Sequence, residues 1–187
     1  MYIIHPPLDG AFVPIALSMQ LKLHYFTGDC EFDVYAVADH SIIGNWPRVI
    51  EMLYSLTYVI DSVAKLGQES RLGILRFSNG TVDERASLSN PRSRAIIDQS
   101  IDIMASLPGS RRNKNMLLAL QRAEENLIDN TRTIGNKRVA QSLVLFTNGF
   151  SENDATSPQE KEALIGLMNR GIHVIMIGKR AAAPGAR

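Results

Sequence analysis

With 187 residues, 45% of them hydrophobic and 21% charged, the chain has an ordinary globular composition and enough length for one domain with a sizeable core. Its 20 basic and 19 acidic residues leave a formal net charge of +1, which excludes a long-range field that would gather a polyanion. A single cysteine, Cys30, excludes an internal disulfide and, lacking a CxxC companion, argues against a zinc site.

Residues 1–29 read as a flank, with turn signals at Pro6-Pro7 and Asp9-Gly10. Its apolar run Ala11–Met19 is short and broken by Pro14. It has no basic n-region and no small-x-small cleavage site, so it makes a poor signal peptide. No apolar stretch reaches the roughly 18 residues that cross a bilayer, so no membrane insertion is expected.

From Cys30 onward apolar runs alternate with helical patterns. Phe32–Ala38 is apolar almost throughout, as a strand covered on both faces is. Val49, Met52, Leu53, Leu56, Ile60 and Val63 then share one helical face, and the pattern stops at Gly67. Leu72–Phe77 reads as a strand, Ser78-Asn79-Gly80 as a turn, and Thr81–Leu88 as its antiparallel partner. Helices are expected from about Pro91 to Leu107, before Pro108-Gly109, and from about Asn115 to Ile128. Leu143–Thr147 is a further buried strand. Ser157-Pro158-Gln159-Glu160 starts a helix that ends at Asn169-Arg170-Gly171, and Ile172–Ile177 is the last strand. Residues 181–187 read as a tail. The order β-α-β-β-α-α-β-α-β predicts an α/β fold: a mostly parallel sheet with one antiparallel edge strand and helices on both faces.

In such sheets ligands gather past the carboxyl ends of the strands, where the strand order reverses. Asp39 and Asn148 both fall there. A cation site built across these ends takes a carboxylate from each, and Asn148 is a neutral amide. Asp39-His40-Ser41 contains the letters of a catalytic triad, but contiguous residues at a strand end do not form the relay. His5, His24 and His173 are isolated, and His173 reads as structural. No phosphate-cradling glycine motif is present. No catalytic residue is assigned, and the chain is not read as an enzyme. Trp46 and Pro47 read either as a packed cap that begins the first helix, the favoured reading, or as an exposed contact at the edge of the Asp39 site. Asn79-Gly80-Thr81 fits the N-glycosylation pattern in an exposed turn. The clusters Arg111-Arg112, Lys137-Arg138 and Lys179-Arg180 read as solvated surface, so no nucleic-acid partner is expected.

Five segments, in order, resemble the von Willebrand factor type A domain, the integrin I-like fold, over about residues 30–180. They are Cys30-Glu31-Phe32-Asp33, Asp39-x-Ser41, Arg71 to Ser78, Leu143 to Gly149, and Arg170-Gly171-Ile172-His173-Val174. The style is similar to extracellular members of the collagen VI and matrilin type. The resemblance implies a non-enzymatic protein-interaction or adhesion domain of a matrix or cell-surface protein, secreted, with matrix proteins such as collagen as partners. An intracellular scaffold or assembly subunit on the same fold is the alternative.

The family's adhesion site holds Mg²⁺ through a D-x-S-x-S loop, a threonine before the central helix and an aspartate after the fourth strand. Here Asp39 and Ser41 match. The second serine gives way to Ile42-Ile43-Gly44, Lys114 stands at the threonine position, and Asn148 replaces the last aspartate. One carboxylate and one hydroxyl are a poor set for a hard cation that favours anionic oxygen, so the site reads as vestigial and no cofactor is expected. The Lys114 ammonium is a candidate stand-in for the ion beside Asp39. The resemblance also implies that Cys30 pairs with a cysteine outside this chain. The fold is further expected to lack its C-terminal helix, leaving an apolar sheet face for residues 1–29 or a partner to cover.

Overall fold

β1 (Phe32–Asp39) is buried at every position, and that pattern places it at the centre of the sheet. The computed structural model describes residues 31–41, 46–64, 70–78, 81–89, 93–108, 116–147 and 157–178. After β1 come α1 (Trp46–Ala64), β2 (Arg71–Ser78), β3 (Thr81–Ala86), α2 (Arg94–Ser106) and α3 (Met116–Asp129). A small hairpin of β4 (Thr133–Ile134) and β5 (Lys137–Arg138) follows, then β6 (Ala140–Phe146), α4 (Ser157–Asn169) and β7 (His173–Ile177).

The main sheet has the order β3-β2-β1-β6-β7. β1 pairs in parallel with β2 and β6, β6 pairs in parallel with β7, and β3 is the antiparallel edge against β2. The expected fold class is therefore present. The hairpin β4–β5 departs from the expected order. Two residues per strand are too few for an alternating pattern, and its exposed positions carry no apolar signal except Ile134. Gly135, at φ 59°, makes its turn.

Alternation along β1 sorts the core. Phe32, Val34, Ala36 and Ala38 face α1 and α2, where Leu53, Leu56, Ile101 and Met104 meet them. Tyr35 and Val37 face α3 and α4, against Leu120, Ala123, Leu127, Leu164 and Leu167. Tyr35 lies opposite Gly73 on β2, and its ring fills the space a side chain there would need. α4 ends in a Schellman motif: Ile172 N donates to Leu167 O at 3.2 Å, Gly171 N donates to Met168 O at 3.0 Å, and Gly171 sits at φ 80°. The Asn169-Arg170-Gly171 stop signal is thereby realised.

The amino end of β1 carries a network the sequence reading did not anticipate. Asp33, fully buried, accepts from Arg71 Nη2 at 2.6 Å and from Arg132 Nη2 at 2.9 Å. Arg132 also reaches Glu31 at 3.1 Å, and Arg71 Nη2 donates to the Asn130 carbonyl at 2.6 Å. Two guanidinium groups thus neutralise a carboxylate out of water and tie β1, β2 and the start of the hairpin together.

Candidate functional site

The same alternation that puts Tyr35 and Val37 on the α3/α4 side puts Asp39 there too, at the last position of β1. In β6, Leu143 and Leu145 share that side, and Thr147 follows in phase just beyond the strand. Because Ala38 pairs with Phe146, the next step brings Asp39 beside Thr147. Thr147 Oγ1 donates to Asp39 Oδ2 at 3.2 Å. On the other oxygen, Ser41 N donates to Asp39 Oδ1 at 2.9 Å and the Ser41 hydroxyl donates to the same atom. Asp39 is fully buried and Thr147 nearly so.

The loop is held to both neighbouring strand ends: His40 N donates to Phe77 O at 2.9 Å, and Thr147 N donates to Ile177 O at 2.9 Å. The His40 side chain turns away from Asp39 and Ser41. Its ring lies 3.9 Å, centroid to centroid, from Trp46, and its Nδ1 sits 2.9 Å from Arg76 Nη1. The three side chains of Asp39-His40-Ser41 therefore form no nucleophile–base–acid relay. Burial and then the Arg76 guanidinium push the His40 imidazole down to about 4, against an upward pull from Asp39. Trp46 packs into the α1 core at 7% exposure, as the packed-cap reading expects. His173 is exposed at the start of β7.

Among the described residues, then, this edge brings together one carboxylate and two hydroxyls, with His40 held between a polar contact to Arg76 and a ring contact to Trp46. No group of three His, Cys, Asp or Glu there is placed to hold a metal ion. Lys114 and Asn148, the glycosylation candidate Asn79, and Cys30 lie outside the described residues, as does the paired-ion idea for Lys114 and Asp39. Thr147 and Arg76 were not singled out from sequence as members of this edge. Arg76, a charge inside the apolar run Ile74 to Phe77, was the available signal for the last of these.

The family model for the von Willebrand factor type A domain matches residues 33–186. No curated protein sequence matches the chain. Among solved structures, proximal thread matrix protein 1 from the mussel byssus is similar with a TM-score of 0.59 at 21% identity, covering 80% of this chain and 38% of that one. The chain thus spans well under half the length of the mussel protein, which is also known with zinc in its MIDAS motif. The N-terminal domain of TFIIH p34 is similar with a TM-score of 0.58 at 9% identity, covering 79% and 82% of the two chains. An aerotolerance-related membrane protein from Bacteroides fragilis gives 0.53 at 11% identity, covering 86% and 75%.

Proposed function

This chain belongs to the von Willebrand factor type A family, whose domains mediate protein–protein interactions, and on that footing we propose a non-enzymatic adhesion module that binds its partner without a metal ion. Its recognition surface is the carboxyl edge of the sheet around Asp39, Ser41 and Thr147, to which the sequence motif assigns Lys114 and Asn148. The observation that carries this reading is the state of Asp39. Its two oxygens already accept from Ser41 and Thr147, and it is the one acid that the described edge supplies. A hard cation there would have to displace those bonds and find its anionic help elsewhere.

Titration calorimetry of the chain with Mg²⁺ and with Mn²⁺ tests this. The expected result is no saturable heat in the wild type, and a gain of binding in Asn148→Asp, which restores the second acid. Saturable micromolar binding by the wild type, abolished in Asp39→Ala, overturns the metal-free reading.

The setting we propose is an extracellular matrix or cell surface, with a matrix protein such as a collagen as partner. Its support is the Asn79-Gly80-Thr81 acceptor pattern and the similarity to a byssal thread protein. The intracellular-scaffold reading draws equal fold support from the TFIIH p34 domain. Expression through a secretory pathway separates them: a glycosidase-sensitive mass increment lost in Asn79→Gln supports the secreted module, and an unmodified chain supports the scaffold. Among the described residues, no helix is long and apolar enough to cross a membrane.

A further inference from the structure

Alternation along β3 turns Val82 toward the α3/α4 side of the core, and Glu84, two residues on, follows it. There α3 presents a polar stripe: Arg122, Glu125, Asn126 and Asp129 recur at i, i+3, i+4 and i+7 on one helical face. Between the stripe and the end of β3 lies a groove of about 360 Å³. Ligand clefts start at about 300 Å³ and are mostly apolar. Among the described residues, this one is lined by carboxylates, hydroxyls, amides and a guanidinium, without an aliphatic or aromatic side chain.

The groove is preformed. Arg71 Nη1 donates to the Leu88 carbonyl at 3.0 Å and its Nη2 to the Asn130 carbonyl at 2.6 Å, so one side chain of β2 ties the two walls together. On the floor, Asn126 Nδ2 donates to Glu84 Oε1 at 2.7 Å and to Ser87 Oγ at 3.3 Å, and Asn126 Oδ1 accepts from Leu88 N at 3.3 Å. The hydroxyl of the fully buried Tyr35 donates to the same Glu84 oxygen at 3.0 Å. Both of these contacts fall on Oε1, which fixes the carboxylate and leaves Oε2 turned to the groove's solvent side among the described residues.

Charge complementarity selects the occupant. Three carboxylates line the groove against one guanidinium, and Arg122 is already paired with Glu125 at 3.1 Å in an exposed contact of little strength. α3 ends beside the groove at Asp129 with no basic residue in its last turn, so the negative end of the helix dipole adds to the same potential. The carboxylates do not close on a single ion, since among the described residues no group of three His, Cys, Asp or Glu is placed to hold a metal. Spread along a groove, they match cationic side chains carried on an extended chain. We propose that this groove docks a basic segment of a partner protein, with Lys or Arg side chains seated against Glu84 and Asp129. The groove shares no residue with the Asp39 edge, so the proposal stands or falls apart from the metal-free reading of that edge.

NMR titration of the full chain tests it, with a labelled peptide that alternates glycine with lysine and arginine as the probe. Amide shifts are expected within residues 84–89 and 122–130, with an affinity that falls as salt is raised. By fluorescence anisotropy, Glu84→Gln/Asp129→Asn is expected to weaken the peptide about tenfold. Glu84→Gln keeps an acceptor for Tyr35 and Asn126, so the floor of the groove is retained. Glu162→Gln, an exposed acid on α4, is expected to leave the affinity unchanged. Equal affinity for the wild type and the double variant overturns the proposal. So does an equal loss in Glu162→Gln, which marks unspecific charge attraction, and so do shifts confined to other faces or no binding at about millimolar peptide. Should the double variant fail to fold, Asp129→Asn alone, at an exposed position, decides the matter: roughly threefold weaker binding supports the groove, and unchanged binding overturns it.

Discussion

Thr147 Oγ1 donates to Asp39 Oδ2 at 3.2 Å, so a hydroxyl just past β6 closes on the carboxylate at the end of β1. This contact joins the two central strand ends on which the family builds its adhesion site. Thr147→Val removes the donor while keeping the shape, and should lower stability by about 1–2 kcal/mol. Asp39→Asn should do the same or more, because the amide cannot accept on both sides from Ser41 and Thr147. Urea unfolding measures both, and an unchanged midpoint in Thr147→Val would remove the contact from the account.

His40 supplies the pH dependence. Its folded-state value lies near 4, below the ordinary 6.5, because burial and Arg76 disfavour the charged ring. Between these two values the unfolded chain binds the proton and the folded chain does not, so stability contributed here is full above about pH 6.5 and is lost as pH falls toward 4. The fall in melting temperature over that window should be smaller in His40→Asn than in the wild type. Equal slopes would show that the carboxylates alone set it.

The Asp33 network should respond in a polarised way. Asp33→Ala strands the guanidinium groups of Arg71 and Arg132 beside each other and should cost about 3–5 kcal/mol. Arg132→Met leaves Asp33 its Arg71 partner and should cost less. Denaturant titration of the two variants gives the order directly, and the reverse order would refute the arrangement.

Gly73 is dictated by Tyr35. A Cβ on Gly73 would overlap Cδ2 and Cε2 of the Tyr35 ring, which is itself anchored by its hydroxyl to Glu84 Oε1 at 3.0 Å. Gly73→Ala should destabilise by about 1–3 kcal/mol, as overpacking does. Combining it with Tyr35→Leu should cost less than the sum of the two, because removing the ring frees the space. Strict additivity in a double-mutant cycle would argue against the clash.

Much of the architecture was legible along the chain because its signals are local. The apolar run at β1, the spacing of Val49, Leu53, Leu56 and Ile60, and the Gly171 stop each report a backbone state through nearby residues. The hairpin β4–β5 was not legible, since two-residue strands have no period to read. At the site, Asp39 and Ser41 stood out because their spacing belongs to a loop motif. Thr147 did not stand out as a member of that site, because its role depends on the register between β1 and β6.

The sequence by itself determined the alternation of buried strands and amphipathic helices, and with it the family. It also determined that the second acid of the edge is an amide, since that is a matter of composition at one position. Only the tertiary structure decided which hydrogen bonds Asp39 accepts. Parallel pairing sets Thr147 against one oxygen, and the loop folds Ser41 back on the other. It also decided that His40 belongs to Arg76 and Trp46 rather than to its sequence neighbours. Strand register and helix packing are long-range, and no pattern within a few residues encodes which side chains they bring together.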